Sequence, residues 1–334
     1  MKDKFSVIIC TYMRPKIIGH LIESITRQAV LPSEVIIVDG STDFSTKELF
    51  EDKVFSFPFN YMLVDEVNRG LTRQRNVGIS QAKEDSQYII FLDDDVVLEP
   101  SFFQELLKAF EDPGVIGVDG WISNENLWKR VKDVEQLPQN TMVLDGFYLP
   151  LSSRDRMRAA LGLFPFRYLP GSIPPYGHGK SSLPPSGKIY AVEHIMGGIT
   201  AYRKSIFQHI QFSHFFEGYG LYEDFDFSVR ASRYGKLVTN TAARLAHYHA
   251  PGGRPNLYKY GRMVVRNGWY VWRLKYPHPG AINILKWHLI TCLLMFIRLV
   301  NAITGPNRRD AFDDFRGRFT SWLNLLFKKP LIEQ

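Results

Sequence analysis

Cysteine is nearly absent: Cys10 and Cys292 are the two thiols in 334 residues. Two thiols cannot build a disulfide framework. Both lie in apolar runs, where cysteine packs as a small hydrophobe, so a reducing, cytoplasmic setting is expected. The run Phe5–Cys10 is too short for the hydrophobic stretch of a secretory leader and reads as a buried first strand. Long uncharged apolar runs are missing too. Residues 281–303 are strongly apolar, but the core between Lys286 and Arg298 holds 11 residues, short of the roughly 20 that a simple membrane span requires. Acidic residues are thin at the C-terminal end, where 14 Lys and Arg face 4 Asp and Glu from Pro251 onward.

What is present is globular: 45% hydrophobic and 22% charged residues, which excludes a disordered or fibrous chain. The net charge of +7 belongs to the C-terminal part, since residues 1–250 carry 27 basic against 30 acidic side chains. Such a basic stretch, interleaved with Tyr258, Trp269, Trp272 and Trp287, points to an anionic surface. No nucleic-acid motif accompanies it, so nucleic acid is set aside. A peripheral position on a membrane is expected instead, on the inner face of the cell membrane.

Through the first 120 residues, apolar runs alternate with amphipathic stretches. Ser6–Cys10, Glu34–Asp39, Tyr61–Val64, Tyr88–Leu92 and Val115–Val118 read as strands. Pro15–Gln28, Leu71–Ala82 and Ser101–Phe110 read as helices. Continuously apolar strands alternating with helices predict an α/β fold, a mostly parallel central sheet flanked by helices. Between Ser123 and Lys188 the pattern breaks. Six prolines between 165 and 185 exclude a long helix or central strand there, and residues 123–190 are predicted to form an irregular excursion over the sheet edge. Order returns at Ala191–Tyr202. Tyr222–Tyr234 reads as a helix closed by Gly235 at its C′ position, and Leu237–Thr239 and Arg244–His249 as two closing strands. Residues 1–250 thus form the main domain, and residues 251–334 a helical C-terminal appendage.

The acidic triplet Asp93-Asp94-Asp95 directly follows the strand YIIFL. Ligands in open α/β sheets bind outside the carboxyl ends of strands. Three adjacent carboxylates repel one another, and a hard divalent cation would neutralise them while bridging to phosphate oxygens. A solvated acidic turn is the plain structural alternative; the buried strand before the triplet favours a site. Asp39 and Thr11 end two further strands on the same rim, where carboxylates and hydroxyls suit the N–H and O–H groups of a nucleoside. Ser41 and Asp43 read as turn and cap residues. Arg73 and Arg75 are two apart and cannot share a helix face; Arg75 is taken as the inward one, suited to phosphate. Glu223 and Asp224 open a helix whose dipole favours acids there by about 0.3–1 kcal/mol in any case, so a structural role and a general base fit them equally. His247 and His249 share a strand face by alternation, and either could supply a metal ligand.

In order, the segments SVIICTYMRP, VIIVDGSTD, NRGLTRQRNVGI, IIFLDDDV, GGITAYRKSIF, FFEGYGLYEDFDFSVRASRYGKL and ARLAHYHA resemble family 2 glycosyltransferases of the GT-A fold over residues 5–250. The later RMVVRN is similar to bacterial rhamnosyltransferase-like enzymes of surface polysaccharide synthesis. The resemblance implies an inverting transfer of a hexose or deoxyhexose from a nucleotide-diphosphate sugar donor to a hydroxyl of a glycan or lipid-linked acceptor. Residues 1–122 would form the nucleotide-sugar half and 191–250 the acceptor and base half. The resemblance further implies that Thr11 and Asp39 hold the base and that Arg75 lies near the nucleotide or its phosphates. Asp93 would face the ribose or a metal-bound water and Asp94 the donor sugar, Asp95 and His247 would ligate Mg2+ or Mn2+, and Asp224 would be the catalytic base. Tyr222 departs from the family's small residue before the Glu-Asp pair and is expected to shape the acceptor pocket.

Two other classes compete. A sugar-nucleotide pyrophosphorylase would need a glycine-rich, arginine-containing loop after the first strand, and CTYMRP holds no glycine. A non-catalytic sugar-nucleotide-binding module would lack the triplet or the base, and both are present.

Overall fold

The computed structural model describes residues 4–132, 137, 141–216, 218–249, 252 and 255–332. In chain order its first elements are β1 (Phe5–Thr11), α1 (Pro15–Thr26), β2 (Glu34–Asp39), α2 (Ser45–Phe50), β3 (Phe59–Leu63), α3 (Leu71–Gln81), β4 (Tyr88–Asp93), β5 (Val96–Leu98), α4 (Phe102–Lys108) and β6 (Val115–Ile122). Then come β7 (Lys129–Arg130), β8 (Met142–Leu144), β9 (Phe147–Leu149), α5 (Ser153–Ala160), β10 (Ile189–Val192), β11 (Ile199–Arg203), α6 (Glu223–Ala231) and β12 (Lys236–His247). Three long helices close the chain: α7 (Leu257–Lys275), α8 (Ala281–Thr304) and α9 (Arg308–Phe327). The chain divides into two compact units, one of residues 1–128 and 182–253, the other of residues 129–181 and 254–334.

The first unit carries a mixed sheet in the order β10-β12-β6-β11-β4-β1-β2-β3, with β5 added alongside β12. β1 pairs in parallel with β2 and β4, β2 with β3, and β6 with β12, while β11 lies antiparallel between β4 and β6. β3, β2, β1, β4, β6 and β12 therefore all run the same way, and their carboxyl ends share one rim. Successive side chains of a strand alternate between faces. Val7, Ile9, Val35, Ile37, Ile90 and Leu92 accordingly join one core, with Ile18, Leu21 and Phe102 of α1 and α4. Ile8, Ile36, Val38, Ile89 and Phe91 join the opposite core, with Phe227 and Ala231 of α6. Burial on both faces explains why these strands read as unbroken apolar runs. A buried side chain of this size contributes about 1.5–3 kcal/mol, so Ile8→Ala would cost about 2–5 kcal/mol.

Three features differ from the sequence expectations. The two closing strands are the single strand β12, whose register shifts between Thr239 and Arg244. The polar stretch there does not break the strand, because Asn240 Oδ1 accepts from Ala242 N–H at 3.0 Å and Thr241 N–H donates to the Lys188 carbonyl at 3.0 Å. Gly235 is not among the glycines with positive φ; a β-carbon there would lie 2.8 Å from the Gly114 carbonyl, so close backbone approach requires the glycine. The excursion is not irregular. Residues 129–181 hold the small sheet β7-β9-β8 and α5, whose N-cap Ser152 accepts from Asp155 N–H, and they group with the C-terminal helices.

Within the second unit, Trp272 Nε1 donates to the Pro175 carbonyl at 2.8 Å and the Tyr276 hydroxyl to the Ile173 carbonyl at 2.6 Å. Val265, Trp269, Trp272, Trp287 and Leu325 form its core, drawn from α7, α8 and α9. α8 is one continuous helix, long and apolar enough to cross a membrane by length and composition. Its three basic residues do not shorten it, because each finds a partner within the unit. Arg298 pairs with Asp314 at 2.6 Å, His288 Nδ1 accepts from Trp322 Nε1 at 3.1 Å, and the Lys286 ammonium lies over the Tyr176 ring.

Candidate active site

The rim at the carboxyl ends of the parallel strands gathers most of the candidate residues. Thr11 stands opposite Asp39, and Cys10 opposite Asp93. Asp94 and Asp95 make a two-residue turn into β5, which lies antiparallel on the end of β12 with Val96 opposite His247. Tyr248 N–H donates to the Asp95 carbonyl at 2.9 Å. This crossing carries the acidic turn to the histidine: His247 Nε2 lies 3.0 Å from Asp95 Oδ1. Asp93, Asp95 and His247 each offer one ligand atom, all within 4.8 Å of one another. Two carboxylates and an imidazole so close together fit one divalent ion of the Mg2+ or Mn2+ kind. His249 faces Glu125 instead, at 2.6 Å.

The turn itself is not solvated, since Asp94 and Asp95 are only 4% and 6% exposed, while the Asp93 side chain is 41% exposed. Asp94 accepts from Arg14 Nη1 at 2.8 Å and from the Thr11 hydroxyl at 2.7 Å, and Arg14 also lies 3.6 Å from Asp95. Burial pushes the Asp94 carboxyl up to about 6 against the pull of Arg14 and Thr11. Burial would lower His247, but its hydrogen bond to Asp95 and the surrounding carboxylates win and raise it. Arg14 was missed as a site residue. Its one sequence signal is a cation between the first strand and Pro15, where a helix opens.

Arg75 is the inward arginine, 2% exposed, while Arg73 donates to the Val67 carbonyl nearer the surface. Its guanidinium pairs with Glu223 at 2.5 Å and stands 3.8 Å from Asp93. Burial holds the Glu223 carboxyl above the usual range, with the guanidinium pulling the other way. The turn Gly197-Gly198 lies against these charges. A β-carbon on Gly197 would sit 2.7 Å from Arg75 Nη1, and one on Gly198 would overlap the Asp93 carboxylate. Asp224 is on the other side of this turn: its Oδ2 accepts from Gly197 N–H at 3.4 Å and its Oδ1 from Phe225 N–H at 2.9 Å. Burial raises its carboxyl, against the effect of both amides and of Arg75.

Asp39 is fully buried, accepting from Ser41 N–H and from the Tyr61 hydroxyl, both at 2.8 Å. Thr11 is also buried and spends its hydroxyl on Asp94. Asp43 accepts from Ser45 N–H and hydroxyl at the start of α2, as a turn residue does. Among the described residues, three non-glycine residues of the loops around this unit's rim hold positive φ: Met13 at 56°, Tyr222 at 72° and His249 at 48°. Such conformations cost about 1–3 kcal/mol each and gather at functional sites. The left-handed backbone at Tyr222 gives a reason for a small residue at that point; here a ring packs on Phe225, 5.5 Å between centroids.

The α/β sheet and the acidic turn meeting a strand-end histidine define a GT-A fold. Residues 6–167 match the model of glycosyl transferase family 2. The chain is similar to a protein described as an uncharacterized glycosyltransferase in Haemophilus influenzae, 35% identical over 106 residues, 32% of this chain and 34% of that one. The minor teichoic acid biosynthesis protein GgaA of Bacillus subtilis is 31% identical over 112 residues, 32% of this chain and 25% of that one. A cholesterol galactosyltransferase of Borreliella burgdorferi is 27% identical over 105 residues, 31% of this chain and 28% of that one. The chain thus spans about a third or less of the length of these relatives. A crystal structure of GalNAc-T7 with UDP, GalNAc and Mn2+ superposes with a TM-score of 0.55 at 15% identity, covering 91% of this chain and 58% of that one, which speaks for the fold.

Proposed function

We propose that the chain transfers a hexose or deoxyhexose from a nucleotide-diphosphate donor to a hydroxyl of a glycan or lipid-linked acceptor, inverting the anomeric configuration. The observation that carries this reading is the convergence of Asp93, Asp95 and His247 on the rim, with Asp224 across a two-glycine turn. A divalent cation, Mg2+ or Mn2+, held by Asp95 and His247 with Asp93 beside them, would neutralise the charge of the departing diphosphate. Asp224 takes the proton of the acceptor hydroxyl as its oxygen attacks the anomeric carbon, and a single displacement inverts that centre. A carboxyl raised by burial suits a base, because its pKa lies nearer the working pH. Glu223 is committed to Arg75 and does not compete for this role. Arg75 acts beneath the phosphates by holding Asp93 and Glu223 in place. Asp94, tied to Thr11 and Arg14, stiffens the turn under the donor sugar. Thr11 and Asp39 bound the nucleoside end, Asp39 through the Tyr61 hydroxyl it fixes.

Surface polysaccharide synthesis is supported by the teichoic acid name among the relatives, and a lipid acceptor by the cholesterol galactosyltransferase. Peripheral attachment to the inner face of the cell membrane is supported by α8. Ile282, Leu285, Leu289, Phe296, Val300 and Ile303 are exposed, and steps of three, four and seven put them on one stripe. Trp287, Ile290, Thr291 and Met295 are buried on the opposite side. An apolar stripe with basic flanks, one side already packed on protein, lies in the lipid interface. The test is incubation with a panel of nucleotide-diphosphate sugars and Mn2+, scoring release of nucleoside diphosphate with and without EDTA. Full activity in EDTA, or release of pyrophosphate from a triphosphate, contradicts the reading.

A further inference from the structure

The short turn Ser123–Glu125 after β6 is tied residue by residue to the end of β12. The Ser123 hydroxyl donates to the Leu245 carbonyl at 2.9 Å. Asn124 brackets His247: its Nδ2 donates to the His247 carbonyl at 2.7 Å, and its Oδ1 accepts from His247 N–H at 2.9 Å. Glu125 addresses the imidazoles. Its Oε1 lies 3.5 Å from His247 Nδ1 and 2.6 Å from His249 Nε2. The two rings are 4.0 Å apart between centroids, and His249 adopts a φ of 48° to be there. Asn124 already secures the backbone of the strand end, so Glu125 adds nothing that pairing requires.

We infer that Glu125 is a positioning residue for His247, and that His249 clamps it. The inference rests on the metal reading of Asp93, Asp95 and His247 given above. A ligating imidazole needs a lone pair on one nitrogen and its proton on the other. With a metal ion between Nε2 of His247 and Asp95, the proton belongs on Nδ1, the nitrogen turned toward Glu125. A carboxylate at that point selects this tautomer, fixes the ring and strengthens the nitrogen as a donor. His249, donating to the same oxygen, keeps an exposed glutamate in one place.

The test uses the full chain and Mn2+ alone, followed by loss of the free-ion EPR signal. The wild type should bind Mn2+, and Asp95→Asn should abolish binding. Glu125→Ala should weaken it about 10–100-fold, and His249→Ala by a smaller factor. Glu125 lies outside the core, so its substitution leaves the fold intact. Imidazole 15N spectra of protein loaded with diamagnetic Mg2+ should show His247 Nδ1–H hydrogen-bonded to a carboxylate in the wild type and that hydrogen bond lost in Glu125→Ala. Asp95-dependent binding that is unchanged in Glu125→Ala overturns the inference and leaves the metal reading standing. So does weakened binding with an unchanged Nδ1–H signal, which makes Glu125 merely structural. No Mn2+ binding in the wild type overturns both readings. Binding indifferent to Asp95→Asn but lost in His249→Ala also overturns both, since it puts the ion on Glu125, His247 and His249, whose ligand atoms likewise lie within 4.8 Å of one another.

Discussion

Arg75→Met removes a guanidinium on which two carboxylates depend. Arg75 stands 2.5 Å from Glu223 and 3.8 Å from Asp93, with the rings of Phe91 and Phe212 at 5.4 and 5.1 Å from its guanidinium carbon. Glu223 is 4% exposed, and its second oxygen has no hydrogen-bond partner among the described residues. Water has little access to take the place of the lost cation. Breaking a buried pair from one side costs about 3–5 kcal/mol, because the other charge is left unpaired. Methionine keeps an apolar stem between the rings and recovers about 0.3–1.5 kcal/mol through sulfur–aromatic contact. The expected loss is therefore about 2–4 kcal/mol in urea unfolding followed by circular dichroism. Glu223→Gln alone should also destabilise. The double variant Arg75→Met/Glu223→Gln should lose less than the sum of the singles by about 2 kcal/mol, since neither charge is then stranded. A cost below about 1 kcal/mol for Arg75→Met, or simple additivity in the double variant, would refute the picture of a dry, mutually dependent pair.

Asp224→Asn should lower turnover by about 10²–10⁴-fold while donor affinity holds, measured by steady-state kinetics. A carboxylate base acts deprotonated, and the Asp224 carboxyl is raised, so under the proposal kcat/KM should fall as pH falls through a value above the ordinary carboxylate range; a limb at the ordinary position contradicts the assignment. Gly198→Ala should abolish transfer with the circular dichroism spectrum kept, because the new β-carbon displaces the Asp93 carboxylate. Leu285→Asp with Phe296→Asp should stop the protein floating with anionic liposomes while leaving its unfolding unchanged, both side chains being exposed; flotation like that of the wild type would place the lipid contact elsewhere.

The parallel strands were legible because burial on both faces leaves an unbroken apolar run, as in EVIIVD and YIIFL. Asp95 was legible as a strand end on the rim and His247 as one of two histidines ending the last strand-like run, and the fold puts His247 3.0 Å from Asp95. The reason they meet was not legible: β5 is three residues long and directly follows the acidic turn, so its pairing with β12 leaves no periodic signal. Arg14 and Glu125 escaped for a related reason. Each sits in a short loop, and its partner lies 80 residues or more away in sequence. Asn240 hid the continuity of β12 by making a bulge look like a gap. The small sheet and α5 were hidden because strands of two or three residues and an eight-residue helix leave almost no periodic signal. The grouping of residues 129–181 with α7–α9 depends on contacts such as Tyr276 with Ile173, which no local pattern announces.

The central claim is a cation-binding donor site at the carboxyl end of the sheet. Crystals grown with Mn2+ and a nucleoside diphosphate, with data collected at the manganese absorption edge, test it most directly. An anomalous peak bounded by Asp93, Asp95 and His247, with the diphosphate against it, is the expected result. No peak at that rim, or a peak with the diphosphate bound elsewhere on the chain, would contradict it.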